Sequence, residues 1–131
     1  MRPILLAGSV LLALSPLGCA PISPQEVCRQ MVDQRCERNF ECRTDKDTAM
    51  FQAAYGADVE ACKARFYASN GCAERQEEAQ NCVGYNAGKL HFSASLFSDC
   101  QEALAGLSCT AYVDQQNDPA QAPAACRRMC D

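Results

Sequence analysis

Hydrophobic positions along the chain change character near residue 20. From Ile4 to Leu14 they form an uncharged run of eleven residues preceded by Arg2. Ser15 and Pro16 break the run, and the small residues Gly18 and Ala20 follow. This is the layout of a secretory signal peptide. As a helix the run would rise only about 16 Å, about half of a hydrocarbon core. Beyond it the apolar positions recur at helical spacing. Ser23-Pro24-Gln25-Glu26 reads as a capping box with proline at the first helical position. Ile22 and Val27 are placed to form a hydrophobic staple across it. Val27, Cys28, Met31, Val32, Cys36, Asn39 and Phe40 then share one face, with Arg29, Asp33, Glu37 and Arg38 mostly opposite. A helix is expected from Pro24 to about Phe40.

After the polar break Arg43–Asp47, residues Thr48 to Tyr55 look helical and stop at Gly56. Asp58 is placed to cap a helix from Val59 to about Ala68, ended by Asn70-Gly71. The Glu- and Gln-rich stretch Cys72 to Cys82 reads as a solvated helix. Gly84 and Gly88 bracket a turn, and Leu90 and Phe92 flank His91 in a short extended segment. Ser93 or Ser95 starts a further helix carrying Leu96, Phe97, Cys100, Leu104 and Leu107, which ends at Gly106 or Ser108. Cys109–Val113 adds a turn, Asp114–Pro123 reads as a linker, and Pro123–Cys130 closes the chain as a short helix. In that last helix Cys126 and Cys130 share a face and reach toward other helices. The expected fold class is mainly α: a small disulfide-stapled bundle of about four to five short helices, occupying 21–131 after a 1–20 signal segment. Cysteines near Val59-Glu-Ala-Cys62 and Ser98-Asp-Cys100 form a weak internal echo, which a Cys-rich helical chain can produce by coincidence.

The cysteines sharpen this picture. There are eleven. Two cleavage readings fit the leader. Gly18-x-Ala20 is a small-x-small site that would release a soluble product starting at Pro21. Leu17-Gly18-Cys19-Ala20 resembles a bacterial lipobox, and this reading is preferred. Its departure is Pro16, which stands three before the cysteine where a large aliphatic residue is usual. The resemblance implies that Cys19 is acylated and becomes the N-terminus, so that acyl chains supply the membrane affinity. Ala20 after the cysteine resembles the class sorted to the outer membrane. Under either reading Cys19 leaves the pool. Cys28, Cys36, Cys42, Cys62, Cys72, Cys82, Cys100, Cys109, Cys126 and Cys130 remain, an even number suited to a disulfide framework in an oxidising compartment. Ten cysteines allow about 945 pairings, so connectivity stays open.

Composition excludes more than it assigns. Without Arg2 the chain holds eleven Lys and Arg against 16 Asp and Glu, a net charge of −5 with the signs interspersed. No basic face is offered to nucleic acid, and the absence of Trp removes stacking platforms. No C-x2-C pair occurs, which argues against zinc, so no metal or other cofactor is expected. His91 has no nucleophile or carboxylate placed beside it in sequence, and between Leu90 and Phe92 it is expected to face outward. Glu74, Glu77 and Glu78 read as a solvated face, and Arg127-Arg128 is too small for a membrane patch. Without a C-x-x-C motif the cysteines read as structural rather than redox-active. No catalytic residue is assigned and the chain is expected not to be an enzyme.

Tyr55-Gly-Ala-Asp-Val-Glu-Ala-Cys62-Lys-Ala-Arg-Phe66 and Gly88-Lys-Leu-His-Phe-Ser-Ala-Ser-Leu-Phe-Ser-Asp-Cys100-Gln-Glu-Ala-Leu-Ala-Gly-Leu-Ser-Cys109 resemble segments of Cys-rich exported proteins and lipoproteins of myxobacteria and relatives. Pro123-Ala-Ala-Cys126 matches the turn that follows in that class. The likeness spans roughly Cys28 to Cys130 and rests on cysteine spacing and short motifs. It implies an address and an architecture, and it transfers no functional residue. Secreted phospholipases A2 and plant lipid-transfer proteins fit less well, lacking here their His-Asp helix and adjacent cysteine pairs respectively. The expectation is an exported, lipid-anchored envelope protein of the outer membrane or periplasm. It would be a structural or binding module for an unknown protein or small molecule. The alternative is a soluble extracellular effector or inhibitor.

Overall fold

A computed structural model describes residues 21–82 and 91–130. The signal segment with Cys19, the Gly84–Gly88 turn and Leu90 lie outside the described residues. Among those described, six α-helices follow in order: α1 (Pro24–Cys42), α2 (Ala49–Tyr55), α3 (Val59–Ser69), α4 (Ala94–Gly106), α5 (Cys109–Asn117) and α6 (Ala124–Arg128). Side-chain caps set most of the starts. Ser23, Thr48, Asp58, Ser93 and Ser108 accept from Glu26, Phe51, Ala61, Leu96 and Ala111 backbone N–H groups. Each satisfies one of the N–H groups that a helix N-terminus leaves unpaired.

Helix α1 is the axis. One side of it, Val27 and Met31, faces a cluster built from Phe97, Cys100, Ala122, Cys126, Met129 and Cys130. The other side, Cys28, Val32 and Cys36, meets Cys62, Cys72, Phe66 and Tyr67. Ile22 packs into the first cluster beside Val27, as the staple requires. A helix buried on two flanks presents no single apolar stripe, which is why Arg38, placed by its spacing on the polar face, is buried. Its guanidinium donates to the Leu107 carbonyl and to Glu41, each at 2.6 Å, and lies over the Tyr112 ring. Beside α2 a ladder of rings, Phe40, Phe51, Tyr55 and Phe66, is flanked by the guanidinium groups of Arg43 and Arg35.

Three stretches differ from the sequence expectation. Cys72–Cys82 is not one solvated helix. It is two 3-10 turns, Cys72–Glu74 and Glu78–Asn81, joined by extended residues. The Gln80 side chain accepts from the Gln76 and Glu77 backbone, and α1 reaches the Arg75 carbonyl through Gln25. These bonds compete with helix formation, and Cys72 and Asn81 are pulled inward. The expected linker Asp114–Pro123 is ordered instead. Helix α5 continues to Asn117, Asp118 caps a 3-10 turn at Pro119–Gln121, and Ala122 enters the core. Finally, Cys130 lies beyond α6, in an isolated antiparallel bridge with Phe92.

Candidate functional site

All ten cysteines among the described residues pair: Cys28–Cys72, Cys36–Cys62, Cys42–Cys109, Cys82–Cys130 and Cys100–Cys126. Three of the bridges tie α1 to later elements. Cys100–Cys126 joins α4 to α6, and Cys82–Cys130 fastens the end of the second 3-10 turn to the chain end. Cys126 and Cys130 thus reach two different elements. The echo between Cys62 and Cys100 does not extend to pairing, since Cys62 joins α1 and Cys100 joins α6. Each bridge stabilises the fold by about 2–4 kcal/mol, mainly by restricting the unfolded chain.

The other residues singled out in the sequence are surface groups. His91, Glu74, Glu77, Arg127 and Arg128 are exposed and Glu78 is half-buried. Phe92 turns its ring against Phe97, so the strand-like segment does present His91 outward. Among the described residues no group of three or more His, Cys, Asp or Glu is placed to hold a metal ion. No described helix is long and apolar enough to cross a membrane.

The concave chemistry lies elsewhere. A cavity of about 140 Å³ opens between α1 and the segment after α3. Its floor is Cys28, Met31 and Val32. Arg35, Arg75, Asn70 and Asn81 line the rest, so the rim carries two guanidinium groups and no carboxylate. Arg75 is held in place by donating to the Gln80 and Asn70 carbonyls. Arg35 lies 4.6 Å from the Phe66 ring centroid. Asn81 is only 2 % exposed. Its amide nitrogen donates to the Pro24 carbonyl at 3.1 Å. Its Oδ1 and the Nε of Arg75 are buried and have no hydrogen-bond partner among the described residues. Arg38 Nε and Asn39 Oδ1 are buried in the same way, each without a hydrogen-bond partner among the described residues.

A second concavity, a groove of about 480 Å³, runs along the Cys42–Cys109 bridge between the end of α1 and the start of α5. Arg43 and Asp45 line it and pair with each other, with Nη2 to Oδ2 at 2.7 Å. That contact holds the Asp45 carboxyl below its usual range and the Arg43 guanidinium above its own.

Neither concavity was legible in sequence. Arg75 and Asn81 sit in a stretch read as solvated helix, and only the folding of that stretch onto α1 makes them cavity walls. The fold and the cysteine pairing define a disulfide-stapled, mainly α-helical domain. No protein-family model, curated protein or solved structure matches the chain.

Proposed function

We propose that the chain is exported, retained on the bacterial envelope by acylation of Cys19, and acts as a binding module whose ligand site is the arginine-rimmed cavity. The signal-like leader and Leu17-Gly18-Cys19-Ala20 support the address, as does the resemblance to exported Cys-rich proteins of myxobacteria. The full pairing of the ten described cysteines suits an oxidising compartment and leaves the fold independent of Cys19. Binding as the role rests on one observation above all, the apolar-floored cavity rimmed by the guanidinium groups of Arg35 and Arg75 with no carboxylate beside them.

The chemistry of that wall selects a small carboxylate with an apolar body. Guanidinium groups favour a planar anion, and the Cys28, Met31 and Val32 floor favours hydrocarbon. Engineered cavities of about 150 Å³ take a ring the size of benzene, so the volume suits benzoate as a probe. Titration of the isotope-labelled protein with benzoate is expected to shift the amide resonances of Met31, Arg35, Arg75 and Asn81, with a Kd of about 1 mM. Neutral benzamide should bind more weakly. Arg35→Gln, on an exposed side chain, should weaken benzoate binding about three- to ten-fold and leave the fold intact. Equal binding of benzoate and benzamide, or shifts confined to other surfaces, would contradict the assignment.

A further inference from the structure

The five disulfides differ in their access to solvent. The eight cysteines of four bridges are each at most 8 % exposed. Cys42 is 9 % exposed, whereas Cys109 is open to solvent at the first position of α5. Both halves of this one bridge line the groove that also holds Arg43, Asp45, Thr110 and Val113. Thiol–disulfide exchange needs a sulfur that an incoming thiolate can reach, and a leaving sulfur that carries negative charge well. The groove supplies the first. The N-terminus of α5, a nine-residue helix, supplies the second at the resolving step, when Cys109 leaves the mixed disulfide as a thiolate that the N–H groups there favour.

Opening this bridge also leaves α5 anchored. Tyr112 is 2 % exposed, its hydroxyl donates to the Arg35 carbonyl, and Arg38 holds the Leu107 carbonyl just before the helix. None of these contacts passes through the sulfur atoms. The other four bridges cross or border the two core clusters, where a reductant reaches them only after the core opens.

We infer that Cys42–Cys109 is a thiol-exchange site, open to a low-molecular-weight thiol or to a dithiol reductant of the exported space, while the other four bridges are structural. In the first step an incoming thiolate attacks Cys109 Sγ. A new sulfur–sulfur bond forms to Cys109, and the Cys42–Cys109 bond breaks. Its electron pair goes to Cys42 Sγ, which takes a proton from water. In the second step another thiolate attacks the incoming group's sulfur in the mixed disulfide and releases Cys109 as a thiolate. The reductant ends as its own disulfide, and the protein has gained the two electrons as a pair of thiols. Run in reverse with an oxidised partner, the same steps close the bridge. A partner thiol held at the mixed-disulfide stage would be captured covalently at the mouth of the groove.

The test uses the oxidised full chain without denaturant. Free thiols are first blocked with N-ethylmaleimide, reduced glutathione is added at neutral pH, and newly freed thiols are trapped with iodoacetamide for peptide mass mapping. The expected map shows the glutathione adduct on Cys109 and the alkyl label on Cys42, at least about ten-fold ahead of every other cysteine. Helical circular dichroism should be unchanged while this happens. Simultaneous labelling of all ten cysteines, or first labelling at any other bridge, would overturn the assignment. A charge variant supplies an independent reading. Asp45→Asn removes the anion that neutralises Arg43 in the groove, and attack by anionic glutathione should quicken about three-fold. An unchanged or slower rate in that variant would rule out the groove as the route of attack.

Discussion

Arg38 and Tyr112 show what single residues contribute at the junction of α1 and α5. Arg38, 9 % exposed, is held there because its guanidinium meets a carbonyl, a carboxylate and an aromatic face together. Sequence spacing could not reveal this, since the partner Leu107 stands 69 positions away. Asn39, by contrast, was legible: it falls on the apolar stripe and is fully buried, donating to the Arg35 carbonyl. Two tyrosines give this scale a pH test. Burial pushes the Tyr112 hydroxyl up to about 12. Burial first and the hydrogen bond to Asp33 second push Tyr67 up to about 12. An unfolded tyrosine titrates near 10. A raised native pKa means that the native state holds its proton more tightly, so the stabilisation is complete below about pH 10 and is lost as pH rises toward 12. Phenolate absorbance after a rapid pH jump should show Tyr67 and Tyr112 ionising late, together with loss of helix. Ionisation of both near pH 10 with the fold intact would contradict their packing.

Helices are legible in the sequence where a cap and a stop are local. Ser23, Thr48 and Asp58 each sit at the expected start, and Gly56 ends α2 where the sequence places it. Elements depart from their sequence pattern where distant contacts decide. The Cys72–Cys82 stretch has the composition of a solvated helix, yet Cys28 and Gln25 of α1 draw it into two short turns. Likewise α5 outlasts its polar sequence because Tyr112 is buried and bonded to Gln116 one turn on. The corner between α2 and α3 carries a sharp prediction. Gly56 has φ +96°, and a Cβ there would lie 2.9 Å from the Ala61 Cβ and 3.2 Å from nearby backbone. Gly56→Ala should therefore destabilise the protein by about 1–3 kcal/mol, measured as a lower midpoint in chemical denaturation. An unchanged midpoint would mean that the corner relaxes freely.

For the molecule as a whole, the number of bridges was legible and their wiring was not. An even set of ten cysteines predicts five bonds, and five are formed. Which cysteine meets which depends on α1 passing between two clusters, a tertiary fact that leaves no trace in spacing. A domain of this size builds only a modest core, and cross-links through that core compensate. The proposed address adds to this framework an exported chain acylated at Cys19, beside ten cysteines that are all bridged. The most direct test is the intact mass of the mature protein from its host, with and without reduction and alkylation. The predicted result is an N-terminus at Cys19 carrying acyl chains, no alkylation before reduction, and ten alkylated cysteines after it. A mature chain that still begins at Met1, or cysteines that alkylate without reduction and release a bound metal, would contradict the account. A soluble product beginning at Pro21 would retain the framework and refute the anchor.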